Sequence, residues 1–270
     1  MRLAWEVDRA SLIGDWQFGS RHHYSAPDVA LSLAYKAREV ITHRRIGAVI
    51  LFDISRFFDN ISPDLTCVTL TDLGVNLSTI TWIRSFIKDR IICMNFNDFT
   101  SDPFHPSHGT PQGSPLSPIL SALVTSPLLQ RCLDLKHTDL MLYVDNGCIF
   151  RSGPTFLSAS VKVIEAFSLI LTLLHRMGLE VDADKTELMF FTPPCPSPHY
   201  GTQPLTVTIP LQGGKTLTIR PSTSLCYPRV FFTPKLDWCL HVTTMANRMH
   251  STVKALGVLG SLVRGISLLS

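Results

Sequence analysis

Two aspartates far apart in the chain, Asp53 and Asp145, carry the first suggestion of chemistry in this sequence. Asp53 lies at the end of the apolar run 48–54, and Asp145 sits in Tyr143-Val144-Asp145-Asn146. Carboxylate oxygens are the donors that hard divalent cations prefer, so two of them brought together would hold such an ion. Taken alone, Asp53 reads first as a helix cap, and only the company of Asp145 reverses that. Between the two lies a glycine- and proline-rich segment, Gly109-Thr110-Pro111-Gln112-Gly113-Ser114-Pro115-Leu116-Ser117-Pro118, which by itself reads as a proline-stiffened loop. Further on, Gly178-Leu179-Glu180 leads to Lys185, a cation whose plain reading is a solvated surface lysine.

These residues need elements to position them. Residues 48–54 are a continuous Val- and Ile-rich run, the pattern of a buried strand that delivers Asp53 at its end. Residues 140–144 and 147–150 form a hairpin whose acidic turn is Asp145-Asn146. Ser25, Pro27 and Asp28 open a helix over 30–40 with a capping box. Leu77, Ile80, Ile83 and Ile87 recur at helical spacing in a helix over 76–90, capped by Ser78 or Thr79. A strand over 91–99, a loop over 109–118, helices over 119–133 and 156–177 and a strand over 187–192 follow. The proline-rich stretch 193–198 marks a lobe boundary. A hairpin of 205–210 and 216–219 turns at Gly213 and Gly214, and a helix over 247–263 closes the chain. Strands meet helices on one face in this mixed order.

Read together, the four chemical segments resemble motifs A, B, C and D of reverse transcriptases, closest to the non-LTR, LINE-type retrotransposon branch. Gln17-Phe18-Gly19-Ser20-Arg21 and the stretch 231–241, with Trp238 and His241, are similar to that branch's flanking segments. The resemblance implies an α+β fold, the right-hand polymerase palm: an antiparallel sheet backed by helices, with partial fingers and the start of a thumb. It divides the chain into partial fingers and a connecting helix (1–47), palm (48–192), a proline-rich loop with a primer-grip-like hairpin (193–240) and the first thumb helix (241–270). It implies RNA-directed DNA polymerisation, with an RNA template, a DNA primer and deoxynucleoside triphosphates as partners. The cofactors would be two Mg²⁺ ions, held by Asp53, Asp145, the Ile54 carbonyl and the Asn146 amide oxygen, with both aspartates on the open sheet face. Phe58 matches the ring that packs under the sugar and excludes a 2′-hydroxyl. Gly109, Pro111, Gln112 and Gly113 would follow the template and nascent base pair, Tyr143 would flank the aspartate, and Arg21 would reach the template. Lys185 would contact the triphosphate or protonate the leaving pyrophosphate.

Several positions depart from the family pattern. Motif C ordinarily ends in two aspartates, and here the second is Asn146. A unit charge pair about 4 Å apart at an effective dielectric near 20 is worth roughly 4 kcal/mol, about a thousandfold in rate if spent on the transition state. At the primer grip, Tyr227-Pro228-Arg229 replaces aromatic-Leu-Gly, so proline removes a donor and arginine resists positive φ. The expectation is a truncated, drifting domain with impaired turnover, or a catalytically dead remnant that still binds nucleic acid.

Composition narrows the rest. At 270 residues, 45% hydrophobic, the chain can bury a real core. A net charge of +3 is too small to signal a nucleic-acid partner by itself. Seven cysteines without a Cys-x-x-Cys pair suit reduced thiols, with Cys148 and Cys226 as small core residues. Arg2, Glu6, Asp8 and Arg9 interrupt any secretory signal, and Lys162, Glu165, His175 and Arg176 make 156–177 an amphipathic helix rather than a membrane span. The expected setting is intracellular, nucleus or cytoplasm, without secretion or a membrane partner.

Overall fold

The structure, a computed structural model, describes residues 2–134, 139–195, 197–211 and 216–264. At its centre is a four-stranded sheet in the order β4-β5-β1-β6. These strands are β1 (Ile46–Asp53), β4 (Asp139–Tyr143), β5 (Asn146–Gly153) and β6 (Glu187–Phe191), and every neighbouring pair is antiparallel. β1 is buried almost throughout because it lies between β5 and β6, which explains its unbroken apolar sequence.

Both faces of the sheet are covered, not one. Ile50, Phe52, Leu142, Ile149 and Phe190 point to one side, where they meet helices α6 (Ser117–Asp134) and α7 (Phe156–Arg176). Val49, Leu51, Met141, Cys148 and Phe191 point to the other, against α2 (Ala26–Thr42) and the hairpin of β9 (Leu225–Cys226) and β10 (Phe231–Phe232). Alternation of side chains along each strand feeds two separate cores. α7 is long and apolar enough to cross a membrane, but its buried face, with Val163, Phe167, Ile170 and Leu174, is committed to the sheet. The Thr155 side chain caps it by accepting from the Ser158 N–H, and α2 begins with Asp28 accepting from the Ser25 N–H at 2.7 Å.

A third core lies beside the sheet. There α1 (Arg2–Arg9) packs Leu3 and Val7 with α4 (Pro63–Asp72), α5 (Leu77–Ile87) and the first turns of α6, through Leu70, Ile80, Ile83, Leu120 and Leu123. α5 is capped by Asn76, whose Oδ1 accepts from the Ser78 N–H at 2.9 Å, two or three residues before the expected Ser78 or Thr79. In place of one strand over 91–99 there is a short hairpin, β2 (Asn95–Phe96) and β3 (Phe99–Thr100). The cause is local: Asn97 takes a left-handed φ of 51°, which asparagine tolerates, and turns the chain back.

The last part of the chain adds a hairpin, β7 (Val207–Pro210) with β8 (Thr216–Ile219), whose expected turn at Gly213 and Gly214 lies outside the described residues. The closing helix α8 (Cys239–Arg264) starts eight residues before the expected 247, since Trp238 O accepts from the Val242 N–H and so begins the helix. Cys148 is a core residue as expected, whereas Cys226 is exposed on the edge of β9.

Burial pushes the Cys132 thiol up to about 12 and the Cys148 thiol above its ordinary value, so neither supplies thiolate at neutral pH. A thiol-reactive disulfide probe should modify exposed Cys93, Cys195, Cys226 and Cys239 in the native protein, and Cys132 and Cys148 only after denaturation. Phe167 is fully buried, with its ring 5.4 Å from that of Phe52; Phe167→Ala should cost about 3–5 kcal/mol in urea unfolding.

Candidate active site

The register of β1 against β5 decides where the two aspartates go. Asp53 pairs with Asn146, and the Ile54 N–H donates to Asp145 O at 3.1 Å. Residues directly opposite one another in an antiparallel pair stand roughly 5 Å apart at Cα, so Asp53 and Asp145 are neighbours at one end of the sheet. Because both faces are covered, this sheet end, rather than an open face, presents them.

The turn that carries Asp145 differs by one residue from the expectation. It is Val144-Asp145, with Asn146 already the first residue of β5 and paired to Tyr143. Val144 sits at a φ of 61°, a strained conformation for a β-branched residue. A glutamine holds it there. Gln17 is fully buried; its Oε1 accepts from the Val144 N–H at 3.2 Å and the Gly19 N–H at 3.0 Å, and its Nε2 donates to Thr125 Oγ1 at 3.2 Å. The flanking backbone docks on the edge of β4, with Phe18 N–H donating to Leu142 O and Leu142 N–H to Trp16 O. Gly19 must be glycine, since a Cβ there would lie 2.4 Å from Val144 N. Gln17 was not singled out from sequence as a site residue; the available signal was a lone amide between two aromatics, Trp16 and Phe18.

Lys185 reaches the same place by a short path. Asp182 N–H donates to Asp53 O and Ser55 N–H to Glu180 O, so residues 180–182 run beside the end of β1. The Asp182 side chain caps the turn Ala183–Lys185, and Lys185 Nζ lies 2.5 Å from Asp53 Oδ2 and 3.6 Å from Asp182 Oδ2. Hydrogen bonding to Asp53, and the Asp53 charge, raise the Lys185 pKa, so it is a firmly protonated counter-ion rather than a merely solvated lysine. Desolvation lifts the Asp145 carboxyl above its ordinary value and the nearby Asp53 charge adds to this. The Asn146 Nδ2 donates to Asp145 Oδ1 at 3.0 Å, so the amide opposes that rise.

The glycine- and proline-rich loop closes the other side. Gly109 N–H donates to Ile61 O and Thr110 N–H to Phe58 O, which fastens the loop to the short helix α3 (Phe57–Asn60). Gly109 has a φ of +88°, and a Cβ there would meet Asp59 O at 2.8 Å and Phe58 O at 2.9 Å. Its need for glycine is therefore already set within the chain. At Gly113 a Cβ would meet nothing within 4 Å. Gln112 Nε2 donates to Asp59 Oδ1 at 2.9 Å, and Pro111 O accepts from Ser117 Oγ at 2.6 Å. Phe58 is half-buried, with its ring 5.6 Å from that of buried Phe57. Tyr143 is half-buried on the α2 side of the sheet. Arg21 is spent within its own loop: it donates to Gly14 O at 3.1 Å and its guanidinium lies 4.2 Å from the Tyr24 ring centroid. Thus Asp53, Ile54, Asp145, Asn146 and Lys185 converge, and the 109–113 loop is tied to the Phe58 segment.

As donors, Asp53 and Asp145 suit a hard cation in kind, and a Lys185 ammonium already seated on Asp53 shows that the site draws positive charge. In number they fall short, since among the described residues no group of three or more His, Cys, Asp or Glu side chains forms a metal site. Ile54 has a hydrocarbon side chain, so it could offer only its backbone carbonyl, and Asn146 could offer only an uncharged amide oxygen. Replacing Gln17 by Leu leaves the buried Gly19 N–H and the half-buried Val144 N–H without this acceptor, at about 1–3 kcal/mol for a fully buried group and less for the other. Gln17→Leu should therefore lower unfolding free energy by about 2–4 kcal/mol and loosen the 144–145 amides in hydrogen exchange.

Comparison with known proteins agrees with this geometry. Over 144 residues, 53% of this chain, it is 28% identical to the retrovirus-related Pol polyprotein from type-2 retrotransposable element R2DM of Drosophila melanogaster, and it covers 12% of that protein. Apo telomerase from Candida tropicalis superposes on 87% of the chain with a TM-score of 0.57 at 13% identity, and the chain covers 39% of it. Telomerase from Candida albicans in complex with a fragment of telomeric RNA superposes on 86% with a TM-score of 0.53 at 14% identity, with 37% of that chain covered. The solved neighbours share the polymerase palm fold. Residues 2–258 match the reverse transcriptase (RNA-dependent DNA polymerase) family, so the chain belongs to that family, as a domain of the retrotransposon type.

Proposed function

We infer that this domain carries out template-directed DNA synthesis on RNA, with Asp53 and Asp145 as the carboxylates that hold two Mg²⁺ ions. One observation supports this above the rest: two aspartates 92 positions apart in sequence become neighbours across the β1–β5 register, with Lys185 beside them. When bound, the two ions supply the positive charge that steadies an in-line displacement at a nucleotide's α-phosphorus. The chain's own residues supply position. In this reading Asp53 and Asp145 fix the reacting end of the sheet, the 109–113 loop backs the nascent pair, and Phe58 supplies the ring under the sugar. Lys185 moves from Asp53 to the triphosphate, where it is placed to return a proton to the departing pyrophosphate.

The partners in this reading are an RNA template, a DNA primer and deoxynucleoside triphosphates, in an intracellular setting. The fingers, palm and thumb divisions at 1–47, 48–192, 193–240 and 241–270 belong to the same proposal.

A second reading, a palm that binds nucleic acid without turnover, is favoured by Asn146. Its amide nitrogen occupies one oxygen of Asp145, and it adds no charge where the family ordinarily has an aspartate. Asn146→Asp restores that charge. Calorimetry should show tighter Mg²⁺ binding by Asn146→Asp than by the native chain, and none by Asp145→Asn. In primer extension on a homopolymer template, the revertant should gain up to about a thousandfold. Extension by the revertant alone supports the non-catalytic reading, and extension by neither protein, with Mg²⁺ bound, overturns the polymerase reading.

A further inference from the structure

We propose that the cleft at the opposite end of the palm sheet is a second nucleic-acid contact, a cradle for phosphodiester backbone that works without divalent metal. It opens where β1 begins and β5 ends, so the eight residues of β1 separate it from Asp53 by roughly 25 Å at the usual rise per residue. The cleft has a volume of about 820 Å³, in the range of ligand-sized sites.

The chemistry of its walls selects an anion. Four permanent cations, Lys36, Arg45, Arg151 and Lys162, face it, against two carboxylates, Glu39 and Asp139. One carboxylate is already committed, because Lys36 Nζ lies 2.7 Å from Asp139 Oδ1. Arg45 and Lys162 are arranged differently. Arg45 donates to Ser152 O at 3.4 Å, and Lys162 donates to the same oxygen at 3.3 Å. Two cationic head groups thus converge on one neutral carbonyl, and among the described residues neither has a carboxylate partner. Their mutual repulsion is relieved by an anion placed between them. His43, at the C-cap of α2, stands beside them, where the partial negative charge of that helix end favours cations.

Polymeric phosphate fits better than a single nucleotide. The only ring in the wall besides His43 is Phe150, which is 3% exposed, so nothing offers a base a stacking surface. Recognition then falls on the backbone and is indifferent to sequence, as phosphate contacts are. At the other sheet end the carboxylates of Asp53, Asp145 and Asp182 outnumber the Lys185 ammonium beside them, so that end repels phosphate without metal, whereas this end needs none.

Fluorescence anisotropy of a labelled single-stranded RNA and of a DNA of the same sequence, with chelator in place of Mg²⁺, tests the cradle. Arg45→Gln with Lys162→Gln should weaken binding at least about tenfold and lower the salt slope by about 1.4, the value for two contacts to a single strand. Arg45→Glu with Lys162→Glu should weaken it further, while circular dichroism melting stays near that of the native chain. Asp145→Asn should leave this binding in place, so failure of the metal site and failure of the cradle are read separately. Equal loss with RNA and DNA assigns the backbone itself, and loss with RNA alone assigns the 2′-hydroxyl in addition. Native affinity in the glutamine variant, no binding by the native chain, or equal competition by a free mononucleotide would each overturn the proposal.

Discussion

Strand register is the constraint on which this molecule turns. Side chains alternate along β1, so a slip of one residue against β5 would send Phe52 and Ile50 to the wrong core and move Asp53 away from Asp145. The two cores prevent that slip. Each takes alternate residues of the same strand, and neither tolerates the other's set. The position of the chemical groups is therefore secured by hydrophobic packing well away from them, and the polar contacts at the sheet end only refine it.

Much of this was legible in the chain. The buried strand ending at Asp53 could be read from an unbroken Val- and Ile-rich run, and α7 from its helical spacing. The hairpin around Asp145 was legible as well, although its turn was placed one residue late, because Val144 is a residue that sequence rules keep out of positive φ. Arg229 repeats the lesson. Arginine resists the left-handed region, yet Arg229 has a φ of 66° in the turn between β9 and β10, where the Tyr227 N–H donates to Val230 O. α4 was not legible, since its buried positions include Thr66 and Thr69, which hide an apolar stripe. The hold of Gln17 on Val144 joins residues 127 apart, a distance that no local pattern reports.

The polar contacts around the candidate site share a logic: charge is balanced locally before any partner arrives. Lys185 answers Asp53, Asn146 donates to Asp145, and Gln112 donates to Asp59. Desolvation is thereby kept affordable for carboxylates that a metal would later occupy. A cation binding at Asp53 or Asp145 would have to displace Lys185 or Asn146 from that carboxylate.

Helix α6 takes part in two of the three cores. Its early residues, Leu120 and Leu123, belong to the core shared with α1, α4 and α5, and its later ones, Val124, Leu128 and Leu129, belong to the core under the sheet. Within the later half, Thr125 receives the Gln17 amide and Pro127 interrupts the helical hydrogen-bond ladder. The helix that receives the Gln17 amide is thus seated in two cores at once, so the support of the Val144 turn is anchored from both sides.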